Sequence, residues 1–226
     1  MKRVKILIGF LTLFFFVLTG FMYKIVDEHR TPLYVKANPN YRLTAEEKSM
    51  LQEGDIILRR GEGFVSSVIN NLNEAEYQIS HCAILTKKDS VNWNVVHTVS
   101  SDLSDVDGVQ TEGLDRFTGE SVENTIVVLR FKADSLQRMQ IAERCNYYLD
   151  KGIPFDNSFN IADSSEFYCT ELVYRVSMDV FKKDMFAERH NTTHPNYLTF
   201  DVFLDNKKFD IILNHQGEKL LKYMKN

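Results

Sequence analysis

The chain has 226 residues, of which 44% are hydrophobic and 26% are charged, so its composition is that of a globular protein and excludes a disordered one. Residues 1–24 hold four of the 27 Lys and Arg residues and none of the 31 Asp and Glu residues, which leaves residues 25–226 with a formal charge of −8. An acidic body of this kind argues against a nucleic-acid partner.

Residues 6–23 form an uncharged, apolar run that follows three basic residues and ends before Lys24. As a helix the run spans roughly 27 Å, close to the bilayer core of about 30 Å. Residues 1–24 are therefore predicted to be a signal anchor or a signal peptide, and Leu18-Thr19-Gly20 is a poor cleavage site. An anchor in the inner membrane of a bacterial cell envelope is favoured, with the domain outside the cytoplasm.

Residues 25–43 are predicted to form a linker, because they contain two of the four prolines and two asparagines. The folded domain is expected over residues 44–226. Thr44 and Glu47 match a capping box, which predicts a short helix to about Gln52. A buried strand is predicted over 55–59 and a helical turn over 64–72.

The rest of the chain alternates strand and helix signals. Strands are predicted over 79–86 and 93–100, and the polar segment 101–123 is expected to hold little regular structure. A strand over 125–131 and a helix over 135–149 follow. A second helix over 164–181 is predicted from an acidic capping pattern, and strand-like runs cover 198–203 and 209–213. This order predicts an α+β fold, with an antiparallel sheet packed against helices.

His81 and Cys82 are neighbours in the sequence but cannot be a catalytic pair on a strand. Successive strand side chains point to opposite faces of the sheet, whereas a nucleophile and its base need a separation of about 3 Å. Cys82 is therefore interpreted as an inert core residue, so that Cys82→Ala should leave any activity largely intact.

The predicted hairpin centred on Asp89 pairs His81 with His97. Opposed side chains on one face have Cβ atoms about 4.5–5.5 Å apart, so one imidazole can orient the other. Two core histidines or a metal-binding pair are the alternatives, and the metal interpretation lacks further ligands at a convincing spacing. The catalytic interpretation is favoured.

Cys169 is the candidate nucleophile among three cysteines. It lies near the start of a predicted amphipathic helix, where the exposed N–H groups stabilise a thiolate and can bind an oxyanion. A plain core cysteine is the alternative. Cys145 lies in the middle of a predicted helix and is interpreted as structural.

Four short motifs occur in the order found in one known family. They are Gly54-Asp55-Ile56, Ser80-His81-Cys82-Ala83-Ile84, Gly152-Ile153-Pro154-Phe155-Asp156 and Tyr168-Cys169-Thr170-Glu171-Leu172-Val173. Together they resemble the circularly permuted papain-like cysteine hydrolases. The most similar branch is the YiiX/YebB-like group, within the NlpC-type class that includes the lecithin:retinol acyltransferase-like enzymes.

The resemblance implies a papain-like core in which the histidine strand precedes the nucleophile helix. By the same resemblance Cys169 is the nucleophile, His81 the general base and His97 the third polar residue. YiiX-like members often carry an acidic residue at the third position, and a histidine there resembles the acyltransferase-like branch. No metal or organic cofactor is implied.

The expected function is that of a membrane-tethered, extracytoplasmic thiol hydrolase. It would cleave amide or ester bonds through a Cys169 acyl-enzyme, with cell-wall peptides or lipids of the envelope as candidate substrates. An acyltransferase of the lecithin:retinol type and a non-catalytic envelope binding module are the alternatives.

Overall fold

The structure, a computed structural model, describes residues 35–72, 76–87, 89, 92–189 and 196–224. The predicted signal anchor and most of the predicted linker lie outside these residues. Within the described ranges, no helix is long and apolar enough to span a bilayer.

A six-stranded antiparallel sheet forms the centre of the described fold. Its strands are β1 (Ile56–Arg59), β2 (His81–Lys87), β3 (Trp93–Val99), β4 (Gly108–Gly113), β5 (Val127–Phe131) and β6 (Phe209–Asn214). Across the sheet they are ordered β4-β3-β2-β1-β5-β6, so β2 lies in the interior between β1 and β3. The predicted α+β class with an antiparallel sheet is confirmed.

Helices and two short 3-10 segments connect and cover the strands. The helices are α1 (Ala45–Met50), α2 (Gly63–Leu72), α3 (Leu114–Gly119), α4 (Ser135–Lys151), α5 (Cys169–Phe181) and α6 (Glu218–Leu221), and the 3-10 segments are Ala187–Arg189 and Phe200–Phe203. The capping box before α1 is present, because the Thr44 hydroxyl accepts from the Glu47 amide and the Glu47 carboxylate accepts from the Thr44 amide.

The two faces of the sheet pack against different hydrophobic clusters. One face carries Leu58, Cys82 and Ile84 and belongs to a large cluster that includes side chains of α4 and α5. The other face carries Ile57, Ala83 and Leu85 and packs with Leu114 and Phe117 of α3. Because strand side chains alternate, β2 contributes to both clusters with neighbouring residues.

Three sequence predictions differ from the structure. The polar segment 101–123 contains the edge strand β4 and the short helix α3, whose apolar residues are too few to give a clear pattern. Helix α5 begins at Cys169 instead of residue 164, because the Asp163 carboxylate accepts from the Ser165 amide in a separate turn. Residues 198–203 contain a 3-10 segment rather than a strand.

Candidate active site

His81 and His97 are brought into direct contact. Nε2 of His81 lies 2.8 Å from Nδ1 of His97. The predicted direct opposition of the two residues is wrong, since Ile84 faces Val96 and the register is shifted by two residues. Because side chains alternate with a period of two, a register shift of two residues leaves every side chain on its predicted face. The two histidines are therefore still neighbours, in a diagonal position across the strands.

The histidine pair lies in an aromatic environment that favours neutral rings. The Phe117 ring packs against both imidazoles, with centroids 5.9 Å from His81 and 5.8 Å from His97. Burial, followed by the neighbouring His97 and Arg59, lowers the pKa of His81 well below its ordinary value. Burial, followed by Arg59 and Arg116, lowers the pKa of His97 to about 3. Both imidazoles are therefore uncharged at neutral pH and can accept a proton.

Charged side chains surround the outer end of the pair. The guanidinium of Arg59 lies 4.0 Å from the centroid of the Phe117 ring and donates to the Phe117 carbonyl. Glu112 of β4 places Oε1 3.5 Å from Nε2 of His97. Sequence reasoning missed Glu112, because the strand that positions it was not predicted.

Cys169 is the first residue of α5 and is partly exposed. The Cys82 thiol donates a hydrogen bond to the Cys169 sulfur, and this contact is the main cause of a lowered pKa at Cys169. Burial opposes the effect, while backbone N–H groups of Thr170, Cys82 and Cys169 support it. Burial and the neighbouring Cys169 raise the pKa of Cys82, which therefore remains a protonated donor. The site thus favours a thiolate at Cys169.

Cys82 is buried, as predicted, but it also interacts with the candidate nucleophile Cys169. It is 1% exposed and packs in the cluster that α5 covers, so its side chain points away from His81 as the pleat requires. Sequence reasoning missed the interaction between Cys82 and Cys169, because the two residues lie on separate elements. Cys145, which was interpreted as structural, is fully buried in α4, and burial raises the pKa of its thiol.

The histidine pair and the thiol pair are connected through the start of β2, where His81 and Cys82 are consecutive residues whose side chains lie on opposite faces of the sheet. Among the described residues, no hydrogen bond joins the His81 ring to the Cys169 thiol. Catalytic hydrogen bonds of this kind often tighten only when substrate binds. The described ranges also contain no group of three or more His, Cys, Asp or Glu side chains arranged to hold a metal ion.

Comparison with known proteins places this chain in a family. Residues 50–199 match the family model described as permuted papain-like amidase enzyme, YaeF/YiiX, C92 family. Five chains of solved structures match. One is the crystal structure of metalloprotein yiiX from Escherichia coli O157:H7, with a TM-score of 0.56 and 19% identity, covering 73% of this chain and 98% of that one. No curated protein matches. The family model covers most of the chain, which therefore belongs to the YaeF/YiiX (C92) family of permuted papain-like cysteine amidases.

Proposed function

We propose that the protein is a thiol hydrolase that cleaves amide or ester bonds through an acyl-enzyme on Cys169. The observation that carries the proposal is the position of Cys169 at the first turn of α5, where a thiol donor and backbone N–H groups lower its pKa. A thiolate of this kind is the reactive form of cysteine. The residue before Cys82 on β2 is His81, and burial holds its ring in the neutral form, which has a lone pair for the proton.

The chemistry follows from these groups. His81 takes the proton of the Cys169 thiol, and the thiolate attacks the substrate carbonyl carbon to form a tetrahedral intermediate. The N–H groups at the start of α5 stabilise its oxyanion. The C–N or C–O bond breaks, and the leaving group takes the proton from His81. Water, deprotonated by the same imidazole, then attacks the acyl carbon, the C–S bond to Cys169 breaks, and the acid is released as His81 returns the proton to the sulfur. His97 orients His81 throughout.

Labelling with a thiol-directed activity probe tests the nucleophile. We expect the folded wild-type protein to be labelled at neutral pH, and labelling and hydrolysis to be lost in Cys169→Ala. Cys145→Ala is the matched control, because Cys145 is fully buried, and this variant should label as the wild type does. Unchanged labelling or hydrolysis in Cys169→Ala contradicts the proposal. A folded wild type that resists alkylation supports a non-catalytic binding module instead.

Acyl transfer is the second candidate function, and the His81–His97 contact favours it. A histidine as third polar residue resembles the acyltransferase-like branch rather than the acidic residue common in YiiX-like members. Incubation with an acyl-donor lipid separates the two chemistries. Formation of an acylated acceptor without net hydrolysis supports a transferase, whereas release of free acid supports a hydrolase.

Residues 6–23 are proposed to tether the domain to the bacterial inner membrane, outside the cytoplasm. The support is the length of the uncharged run and the basic residues before it. A tethered domain outside the cytoplasm has cell-wall peptides and lipids within reach as substrates. Protease treatment of spheroplasts tests the orientation: digestion of the domain supports the proposal, and protection while the membrane is intact contradicts it.

A further inference from the structure

Two buried polar atoms face each other at the outer end of the histidine pair. Oε1 of Glu112 lies 3.5 Å from Nε2 of His97. Both atoms are buried, and neither has a hydrogen-bond partner in the described part of the chain. A buried polar atom without a partner destabilises the fold. If the distance between these two atoms shortens slightly, to the usual hydrogen-bond range of about 2.7–3.2 Å, each atom gains a hydrogen-bond partner.

The register of the sheet explains why Glu112 reaches His97. On β3 and β4, His97 pairs with Gln110 and Val95 pairs with Glu112. Paired residues share a face of the sheet, so Glu112 lies on the face of His97, one diagonal step away. The contact is thus a product of the edge strand β4 and not of a flexible loop.

Two arginines support a negative charge on Glu112. Nε of Arg116 lies 3.3 Å from Oε2 of Glu112, and Arg59 also attracts the carboxylate. Burial, followed by Glu120, raises the pKa of Glu112, whereas the two arginines lower it. With guanidinium groups beside it, the carboxylate is the acceptor in the contact, and the proton belongs to Nε2 of His97.

We propose that Glu112 is a positioning residue that fixes the tautomers of both histidines. A neutral imidazole carries a single N–H. If His97 donates from Nε2 to Glu112, its Nδ1 carries no hydrogen and must be the acceptor of the 2.8 Å hydrogen bond with His81. His81 is then the donor in that bond, through Nε2. The free lone pair of His81 then lies on Nδ1, which is the nitrogen left to take the thiol proton. The inference rests on the proposed function, in which His81 is the base.

Nuclear magnetic resonance of the histidine rings tests the inference without any catalysis. Long-range ¹H–¹⁵N spectra of the wild type should show both His81 and His97 protonated on Nε2. In Glu112→Ala the preference should be lost. Glu120→Gln is the matched control, because Glu120 contacts Arg59 and Arg116 as an additional carboxylate, and its spectrum should match the wild type. A wild-type His97 protonated on Nδ1 overturns the inference, and so do unchanged tautomers in Glu112→Ala.

The rate of Cys169 alkylation provides the functional readout. Outer partners that orient metal-ligating histidines contribute about 10–100-fold. By that comparison we expect the alkylation rate of Cys169 to fall about tenfold in Glu112→Ala. Glu112→Gln keeps an oxygen acceptor and should restore most of the rate. Equal rates in Glu112→Ala and the wild type overturn the inference. If Cys169→Ala retains hydrolysis, the proposed function fails, but the spectra still decide the role of Glu112. If Glu112→Ala does not fold, Glu112→Gln and the wild-type spectrum decide it.

Discussion

The two faces of the sheet hold the two halves of the candidate site, and they stabilise opposite charge states of their groups. On the α5 face, hydrogen-bond donors surround the Cys169 sulfur and favour its charged form. On the α3 face, burial and Arg59 favour the uncharged form of His81. Thiol attack needs an available thiolate and a base that is free to accept a proton, so the opposite tuning serves a single reaction. Consecutive residues of one strand can therefore lie in two environments that favour opposite charge states.

Removal of the base on the α3 face should have the largest effect. General bases contribute about 10²–10⁴-fold, so we expect His81→Ala to slow hydrolysis at pH 7 by at least about 100-fold. His215→Ala is the matched control, because His215 is also partly buried but is hydrogen-bonded to Glu47 and Tyr41. Steady-state kinetics of both variants measure the effect, and equal rates in the two variants contradict the role of His81.

The α3 face should lose stability in acid. The folded pKa of His97, about 3, lies below the unfolded value of about 6.5, so the unfolded chain takes up the proton first as pH falls. The contribution of the neutral, buried His97 to the free energy of unfolding is complete above about pH 6.5. It is lost toward about pH 3, by at most about 1.4 kcal/mol per pH unit. In urea unfolding at several pH values, the wild type should therefore lose more stability in acid than His97→Gln. Parallel losses in both proteins would show that His97 is not buried in its neutral form.

The α5 face should show the opposite pH dependence over a shorter window. Glu171 is buried, and burial, opposed by Arg175, raises its pKa to about 7. The unfolded chain loses this proton first as pH rises, so stability is complete below about pH 4.5 and falls toward pH 7, by at most about 1.4 kcal/mol per pH unit. Urea unfolding of the wild type and Glu171→Gln should reveal this difference, and a wild type that gains stability relative to the variant over that window contradicts it.

Removal of the thiol donor on the α5 face should have a smaller kinetic effect. Hydrogen bonds to charged groups contribute about 1.5–3 kcal/mol, and a thiol is a weak donor. We expect Cys82→Ala to raise the pKa of Cys169 and to slow its alkylation at pH 6 by about threefold to tenfold. Cys82→Ser keeps a donor and should restore much of the rate. An identical pH profile in Cys82→Ala and the wild type would restore the sequence-based view of Cys82 as inert.

The sequence predicts much of the fold and the pairing of the two histidines, but not the contacts that Cys169 and Glu112 make. Alternation on β2 and β3 places His81 and His97 on one face even though the predicted register is shifted by two residues, because a side-chain period of two tolerates that error. Contacts between separate elements are not predictable in this way. Cys82 meets Cys169 only after α5 packs on the sheet, and Glu112 meets His97 only because β4 forms from a segment without a clear apolar pattern.

The pH dependence of Cys169 alkylation reports directly whether this thiol is activated. Wild-type protein is treated with iodoacetamide at a series of pH values, and the modified residue is identified by peptide mass spectrometry. We predict that Cys169 reacts first and that its rate is half-maximal below the ordinary thiol pKa of about 8.5. A midpoint at or above that value, or faster modification of Cys82 or Cys145, would contradict an activated thiolate at the start of α5.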